Sequence, residues 1–425
     1  MADARGVSAA AAALLARVRQ RLPEAPVIVA LSGGADSAAL GWAVSQSTKL
    51  ARAVSVDHGL PGSDELMDAA AAIAAMIGLR HEVVVAQPSR SSETALRETR
   101  YAALGAAAGE NEVILTGHTV DDQAETVLGN VLRGTGATGL SGIPATRGQI
   151  MRPLLDVTRS ETRLVAEELG LPFADDPQNS DAGVRRNRIR NETIPTLANR
   201  FNPRLVEALA RLASSAAADD EVLESRAANV PVIHRDGAVV VPAAVLATLP
   251  PAIAARVARR ALRAVRGPHA GTAFEIAAVL DAVHDSAVTI GGAVDVHREG
   301  PWVVLVADEL AIPAASEIEV GSEVGFGDWV VSVESGSRSI GRFSVSIPLP
   351  RRLVVRAAMP RDRIAIAGGS KRVGDALAEA GVPLRVRPRW PVVEADGTIV
   401  WLAGVRAAPS AVESPLITVR VRRTN

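Results

Sequence analysis

Three stretches of the sequence place reactive residue types close together. The first is Ser32-Gly33-Gly34-Ala35-Asp36-Ser37, set between an apolar run ending at Leu31 and an alanine-rich helical pattern. A turn at a helix N-terminus offers free backbone N–H groups and the positive end of the helix dipole to an anion. Gly33 and Gly34 let the backbone close around phosphate oxygens, Ser32 and Ser37 add hydroxyl donors, and Asp36 is a hard oxygen ligand for Mg2+. No Gly-Lys-Ser/Thr follows and the spacing is not G-x-G-x-x-G, so the turn suits pyrophosphate better than a transferable γ-phosphate. In the second stretch, Asp121, Asp122 and Glu125 lie three and four residues apart, which puts these carboxylates on roughly one face of a helix near its start. An acidic first turn stabilised by the dipole fits the same residues. The third stretch, "VRRNRIRNE", sets Arg185, Arg186, Arg188 and Arg190 within six residues, a solvated or phosphate-contacting surface.

These groups need a scaffold, and residues 26–170 supply one. β-Branched runs at 26–31, 51–56, 81–86 and 112–117 alternate with stretches of helical length, the signature of βαβ units in a doubly wound parallel sheet. Ligands of such sheets sit at the carboxyl ends of the strands, where each motif falls. From about residue 185 the pattern turns to helices with arginine-studded faces. Arg256, Arg259, Arg260, Arg263 and Arg266 form either a backbone-tracking stripe or a solvated face. Near 310 glycine-rich alternating stretches begin, followed by a helix after "GGSKR" and a strand pair around Asp396-Gly397, a hairpin turn. Arg385, Arg387 and Arg389 alternate as if along one side of a strand. The expected fold is α/β: a parallel-sheet domain over 1–200, a mostly helical middle domain with linker over 201–345, and a small α+β domain over 346–425.

The 425-residue chain is 48% hydrophobic and 22% charged, ordinary values for a globular protein of two or three domains. Its formal net charge of −1 says nothing by itself about partners. With no cysteine, disulfides, thiolate metal sites, iron–sulfur clusters and enzyme-borne persulfides are excluded. The N-terminal "AALLARVRQRL" reads as an amphipathic helix rather than a secretory core, and no run of 18 apolar residues occurs. A cytoplasmic protein with no membrane partner is expected, its oligomeric state left open, a homodimer included.

The turn at 32–37 resembles the PP-loop of N-type ATP pyrophosphatases, S-G-G-x-D-S, which adenylate a carbonyl oxygen and release pyrophosphate. Residues 116–144, "MRPLLDVTRSE" (151–161) and "DDPQNSDAGVRRNRIRNETIP" (175–195) closely resemble the tRNA(Ile)-lysidine synthase family in order and motif. A fainter likeness covers "GSKRVGDALAEAGVPLRVRPRWPVV" and "WLAGVR", similar to that family's C-terminal tRNA-binding domain. The family converts the wobble cytidine (position 34) of a CAU-anticodon isoleucine tRNA to lysidine, so that the tRNA reads AUA.

The resemblance implies a ligase using ATP and Mg2+, with free L-lysine and tRNA(Ile) bearing a CAU anticodon as partners. It implies pyrophosphate release on Ser32 to Ser37, with Asp36 and Asp121 holding the metal. Val56 and His58, in "SVDHGL", lie beside the adenine. Asp122 and Glu125 match the lysine-site acids. Arg97 and Arg100, in "ETALRETRYAAL", stabilise phosphates or the lysine carboxylate, or form a solvated helix face. The R-N-R-I-R pattern implies that Arg185, Arg186, Arg188 and Arg190 approach the anticodon loop, while Lys371, Arg372, Arg385 and Arg387 suit the tRNA body. A tRNA thiolase is disfavoured by the missing cysteines. A non-catalytic RNA-binding relative is disfavoured by the intact acids at 36, 121, 122 and 125.

Overall fold

The computed structural model describes residues 8–60, 62–87, 92–176, 183–307, 311–336, 341, 343–409 and 415–424. The chain divides into two units, Met1–Val222 and Leu223–Asn425.

The first unit runs α1 (Ala9–Arg21), β1 (Val27–Ala30), α2 (Ala35–Ser45), β2 (Ala51–Asp57), α3 (Ser63–Ile77), β3 (Arg80–Val85), α4 (Glu93–Ala107) and β4 (Val113–Leu115). It continues with α5 (Val120–Val131), α6 (Ala137–Leu140), β5 (Thr146–Arg147), β6 (Ile150–Met151), α7 (Arg159–Glu168), α8 (Arg185–Arg188), α9 (Ile194–Arg200) and α10 (Leu205–Ala228), the last running across the division. Its sheet has the order β3-β2-β1-β4-β6-β5. All pairings are parallel except β5 with β6.

The central strand β1 explains the apolar run that precedes the glycine turn. A parallel strand covered on both faces must be apolar on both, and Val27, Ile28 and Val29 are each at most 1% exposed. Val27, Val29 and Leu31 pack with residues of α1, α2, α3 and α7 on one face, while Ile28 packs with Val54, Leu104 and Ile114 on the other. The first helix is amphipathic as read from sequence: Ser8 caps it by accepting from the Ala11 N–H, and Leu14 and Val18 are buried. β1 has β2 on one side and β4 on the other, so the loops leaving β1 and β4 part over a crevice at their carboxyl ends.

In the second unit the expected helices are present at Pro251–Arg266 and Ala273–Asp281. They share a core with an antiparallel sheet that the sequence reading did not place, made of Ile233–Arg235, Ala238–Pro242, Trp302–Val306, Val294–Glu299 and Val288–Ile290. Three arginines of the 251–266 helix make their contacts within this unit, while Arg263 is exposed. Arg256 is buried and pairs with Glu224 at 3.3 Å, Arg260 donates to the Val230 carbonyl at 3.1 Å, and Arg266 pairs with Glu275. The Asp396-Gly397 turn joins Pro391–Ala395 to Thr398–Leu402, both turn residues having positive φ.

Several expectations for this unit are corrected. Leu384–Arg389 is a 3₁₀ helix, not a strand, so Arg385 and Arg387 do not alternate on one side of a sheet. Arg385 pairs with Glu299 at 3.2 Å and donates to the Asp236 carbonyl, and Arg387 donates to the Val382 carbonyl at 2.9 Å. Lys371 and Arg372 close the strand Gly369–Arg372, the helix starting only at Val373. Lys371 pairs with Glu379, whereas Arg372 is exposed. Strands on either side of the expected 345/346 boundary share sheets: Trp329–Ser335 pairs with Leu416–Arg423, and Ser316–Glu317 with Leu353–Ala357. Among the described residues, no helix is long and apolar enough to cross a membrane.

Candidate active site

The glycine turn is braced by hydrogen bonds of its own. Ser37 Oγ donates to the Gly34 carbonyl at 2.9 Å and accepts from the Ser32 N–H at 3.1 Å, tying the turn across itself. Gly33 has φ +84°, a left-handed conformation suited to glycine, and its carbonyl accepts from the Ala174 N–H at 3.0 Å. A Cβ at Gly33 would stand 2.2 Å from the Leu66 carbonyl oxygen, so the first turn of α3 presses directly on the loop. Helix α2 starts at Ala35 with Gly34 at its N-cap and no side chain capping it. Its first N–H groups therefore face the crevice, as an anion site requires.

The loop after β4 closes the other side. A Cβ at Gly117 would come within 3.1 Å of the Asp36 and Ser37 backbone, so this glycine permits the approach of the two loops. His118 follows, its Nδ1 2.9 Å from Thr116 Oγ1. Burial drives its pKa down to about 3 against the pull of Asp122, so it is a neutral imidazole at neutral pH.

Asp36, Asp121, Asp122 and Glu125 are brought to one crevice, and α7 is the element that binds them. Thr162, buried in α7, donates to Asp36 Oδ1. The Arg159 N–H, at the first position of α7, donates to Asp121 Oδ2 at 2.7 Å, while its guanidinium reaches Asp122 at 3.2 Å and Glu125 at 3.1 Å. Arg159 Nε also lies 3.8 Å from Asp36 Oδ2. Burial, opposed by the Thr162 bond and reinforced by the charges of Asp122 and Asp121, raises the Asp36 pKa to about 6. Asp122 goes the other way: burial would raise it, but Arg186 and Arg159 hold it at about 2.

Asp122 also closes a capping box, its Oδ2 accepting from the Thr119 N–H at 2.8 Å. Both readings of that acid therefore apply: it stabilises the start of α5 and faces the crevice.

The arginine run splits by face. Arg185 and Arg188 are exposed. Arg186 and Arg190, one helical turn apart, point inward: Arg186 donates to Glu125 at 2.9 Å and Asp122 at 2.8 Å, and Arg190 to Glu125 at 2.6 and 3.0 Å. Two of the four, Arg185 and Arg188, thus keep exposed side chains, while Arg186 and Arg190 are engaged by the buried acids. A π-helical stretch, Ile189–Thr193, follows directly. Residues 177–182 of the same motif lie outside the described residues.

At the end of β2, His58 Nδ1 lies 2.8 Å from the Ala86 carbonyl, and its buried Nε2 has no hydrogen-bond partner among the described residues. An unsatisfied buried ring nitrogen beside an anion-binding loop suits a nucleotide base or ribose. Val56 is half-buried on the same strand. Arg97 sits over the Tyr101 ring at 5.1 Å. Arg97 and Arg100 both keep exposed surface on α4; their pKa values are lowered, first by the protein partly surrounding them and then by cationic neighbours, Arg186 and Arg152 for Arg97, Arg97 and Arg186 for Arg100. Arg159, Thr162, Gly117 and His118 were assigned no role from sequence. Their signal was the motifs that contain them, but a partner up to 126 residues away left no trace in spacing.

This is the architecture of a PP-loop domain: a glycine-rich anion turn at the switch point of a parallel sheet, with acids facing it across the crevice. The family described as PP-loop domain matches residues 8–197, and that described as TilS substrate C-terminal domain matches residues 353–420. The chain is an enzyme of this ATP-using class. A tRNA(Ile)-lysidine synthase of Symbiobacterium thermophilum is 32% identical, over 96% of this chain and 98% of its own. Proteins of the same name from Nocardia farcinica and Deinococcus deserti are 45% identical over 48% of this chain and 65% of theirs, and 32% identical over 88% and 64%. The chain belongs to the tRNA(Ile)-lysidine synthase family.

Proposed function

We propose that the protein joins free L-lysine to C2 of the wobble cytidine of a CAU-anticodon tRNA(Ile), forming a C–N bond at the expense of ATP. The observation that carries this is the meeting of the Ser32–Ser37 loop with Asp121, Asp122 and Glu125 in one crevice, in a chain aligned along nearly its whole length with a named relative.

In this reading cytosine O2 attacks the α-phosphorus of ATP, and pyrophosphate departs into the uncapped N-terminus of α2 and the hydroxyls of Ser32 and Ser37. The orphaned His58 Nε2 and Val56 line the adenine side. Asp36 and Asp121 are hard carboxylates in electrostatic reach of one another, the residues fit to hold Mg2+. Among the described residues no group of three metal-binding side chains occurs. Bound by these two carboxylates, Mg2+ would supply positive charge against that developing on the departing phosphates.

Adenylation leaves C2 electrophilic, and the lysine ε-amine adds there as AMP leaves. That amine has a pKa of about 10.4, and a neighbouring carboxylate would hold it protonated. Asp122 and Glu125 therefore grip the α-ammonium, leaving the ε-amine away from negative charge. Exposed Arg185 and Arg188 face the anticodon loop and exposed Arg372 the tRNA body. The cytoplasm, where tRNA and ATP are found, is the setting this chemistry implies, and light scattering reads whether a homodimer forms.

The test is incubation with ATP, labelled lysine and either CAU-anticodon tRNA. Incorporation into the isoleucine tRNA alone is expected. Incorporation into neither tRNA rejects the assignment.

A further inference from the structure

The two acids that would hold lysine are already full. Asp122 Oδ1 accepts from Arg159, Arg186 and Arg190, and its Oδ2 from the Thr119 N–H and hydroxyl. Glu125 Oε1 accepts from Arg159 and Arg190, and its Oε2 from Arg186 and Arg190. A carboxylate offers about four lone-pair sites, so five donors on Asp122 and four on Glu125 leave no acceptor for an ammonium's three N–H groups. Lysine can enter only by taking the place of a guanidinium.

The three guanidiniums come from different elements. Arg159 is fixed at the start of α7 by its backbone bond to Asp121. Arg190 makes a two-pronged pairing with Glu125. Arg186 donates to both acids, at 2.9 Å to Glu125 and 2.8 Å to Asp122, and shares its surroundings with the like charges of Arg97 and Arg100. It also belongs to the short helix α8 whose other arginines, Arg185 and Arg188, are exposed.

We infer that Arg186 is the internal occupant of the lysine subsite, and that lysine displaces it onto the RNA backbone. This rests on the lysine-site reading of Asp122 and Glu125 given above. An RNA phosphate near α8 offers the released guanidinium a new anionic partner, and the vacated carboxylate oxygens offer lysine its place. The two ligands then bind with positive coupling, and the coupling is reciprocal. The subsite opens when the RNA is seated, so lysine is held where an adenylated base is present to receive it. Arg186 acts here as a positioning residue.

The experiment measures the Kd of the isoleucine tRNA with and without saturating lysine, and the lysine Kd with and without tRNA, on the full chain without ATP. In the wild-type protein each ligand is expected to tighten the other by about five-fold or more, by the same factor in both directions. Arg186→Gln should lower the lysine KM several-fold and bring the coupling factor to near one, with Arg186→Lys between. Absence of coupling in the wild-type protein, or a raised lysine KM in Arg186→Gln, overturns the inference. Failure of the underlying reading shows differently: Glu125→Gln would then leave the lysine KM unchanged while lysidine still forms.

Discussion

Gly33→Ala tests whether the glycine turn works as a pre-formed cradle. Two costs follow from the structure. A non-glycine residue held at φ +84° pays about 1–2 kcal/mol for the left-handed backbone. The new Cβ also meets the Leu66 carbonyl oxygen at 2.2 Å, and reaching ordinary van der Waals separation needs a displacement of roughly 1 Å. The loop cannot slide to meet this demand, because Gly33 O is held by the Ala174 N–H and Ser32 and Ser37 are tied to each other. An error of about 1 Å in positioning reacting groups costs on the order of a hundred-fold in rate. Pyrophosphate release in the presence of tRNA should therefore fall by about that factor, with a melting temperature lower by several degrees. Gly34→Ala is the control: its φ is −86° and its Cβ would meet nothing closer than 3.8 Å, so stability should be unchanged and any loss of ATP affinity reads the space taken from phosphate. A Gly33→Ala protein that releases pyrophosphate within two-fold of wild type would refute the account of the turn.

Asp36→Asn should abolish pyrophosphate release while leaving tRNA affinity, read by fluorescence anisotropy, unchanged. Glu125→Gln removes a side chain 2% exposed that holds Arg159, Arg186 and Arg190, and breaking such buried pairing costs about 3–5 kcal/mol. A raised lysine KM is thus expected together with a lower urea midpoint. The Glu112 carboxylate is held at about pKa 2 by its hydrogen bonds from Arg52. Because the folded pKa lies below the usual carboxylate value, its contribution, about 1–2 kcal/mol after screening, is present above pH about 4.5 and lost as pH falls toward 2. The difference in urea midpoint between wild type and Glu112→Gln should accordingly hold from pH 7 to about pH 4.5 and shrink as the pH falls toward 2. A chain cut after residue 345 should lose the strand signal of residues 316–335 by circular dichroism, since Phe326, Trp329 and Val331 share a core with Val393, Trp401 and Val419.

Local pattern determined much of this protein from sequence. The apolar run into Gly33-Gly34, the strands of the parallel sheet, the amphipathic first helix and the Asp396-Gly397 turn each follow from backbone preference or from which face of an element is apolar, and these act within a few residues. The acids at 121 to 125 were legible for the same reason, their spacing placing them on one helical face. What each charge meets was decided by tertiary structure alone. Thr162 reaches Asp36 across 126 residues, and Arg186 reaches Asp122 across 64. An arginine reads alike in sequence whether it faces water, RNA or a buried carboxylate. Hence Arg185 and Arg188 stay at the surface while Arg186 and Arg190 turn inward, and Arg385 and Arg387 are spent on Glu299 and on backbone carbonyls. Helical periodicity sets the direction a side chain leaves its element, but the packing of distant elements sets what lies there, and with it the pKa values of Asp36 and Asp122 and the arginines that pair with Asp122 and Glu125.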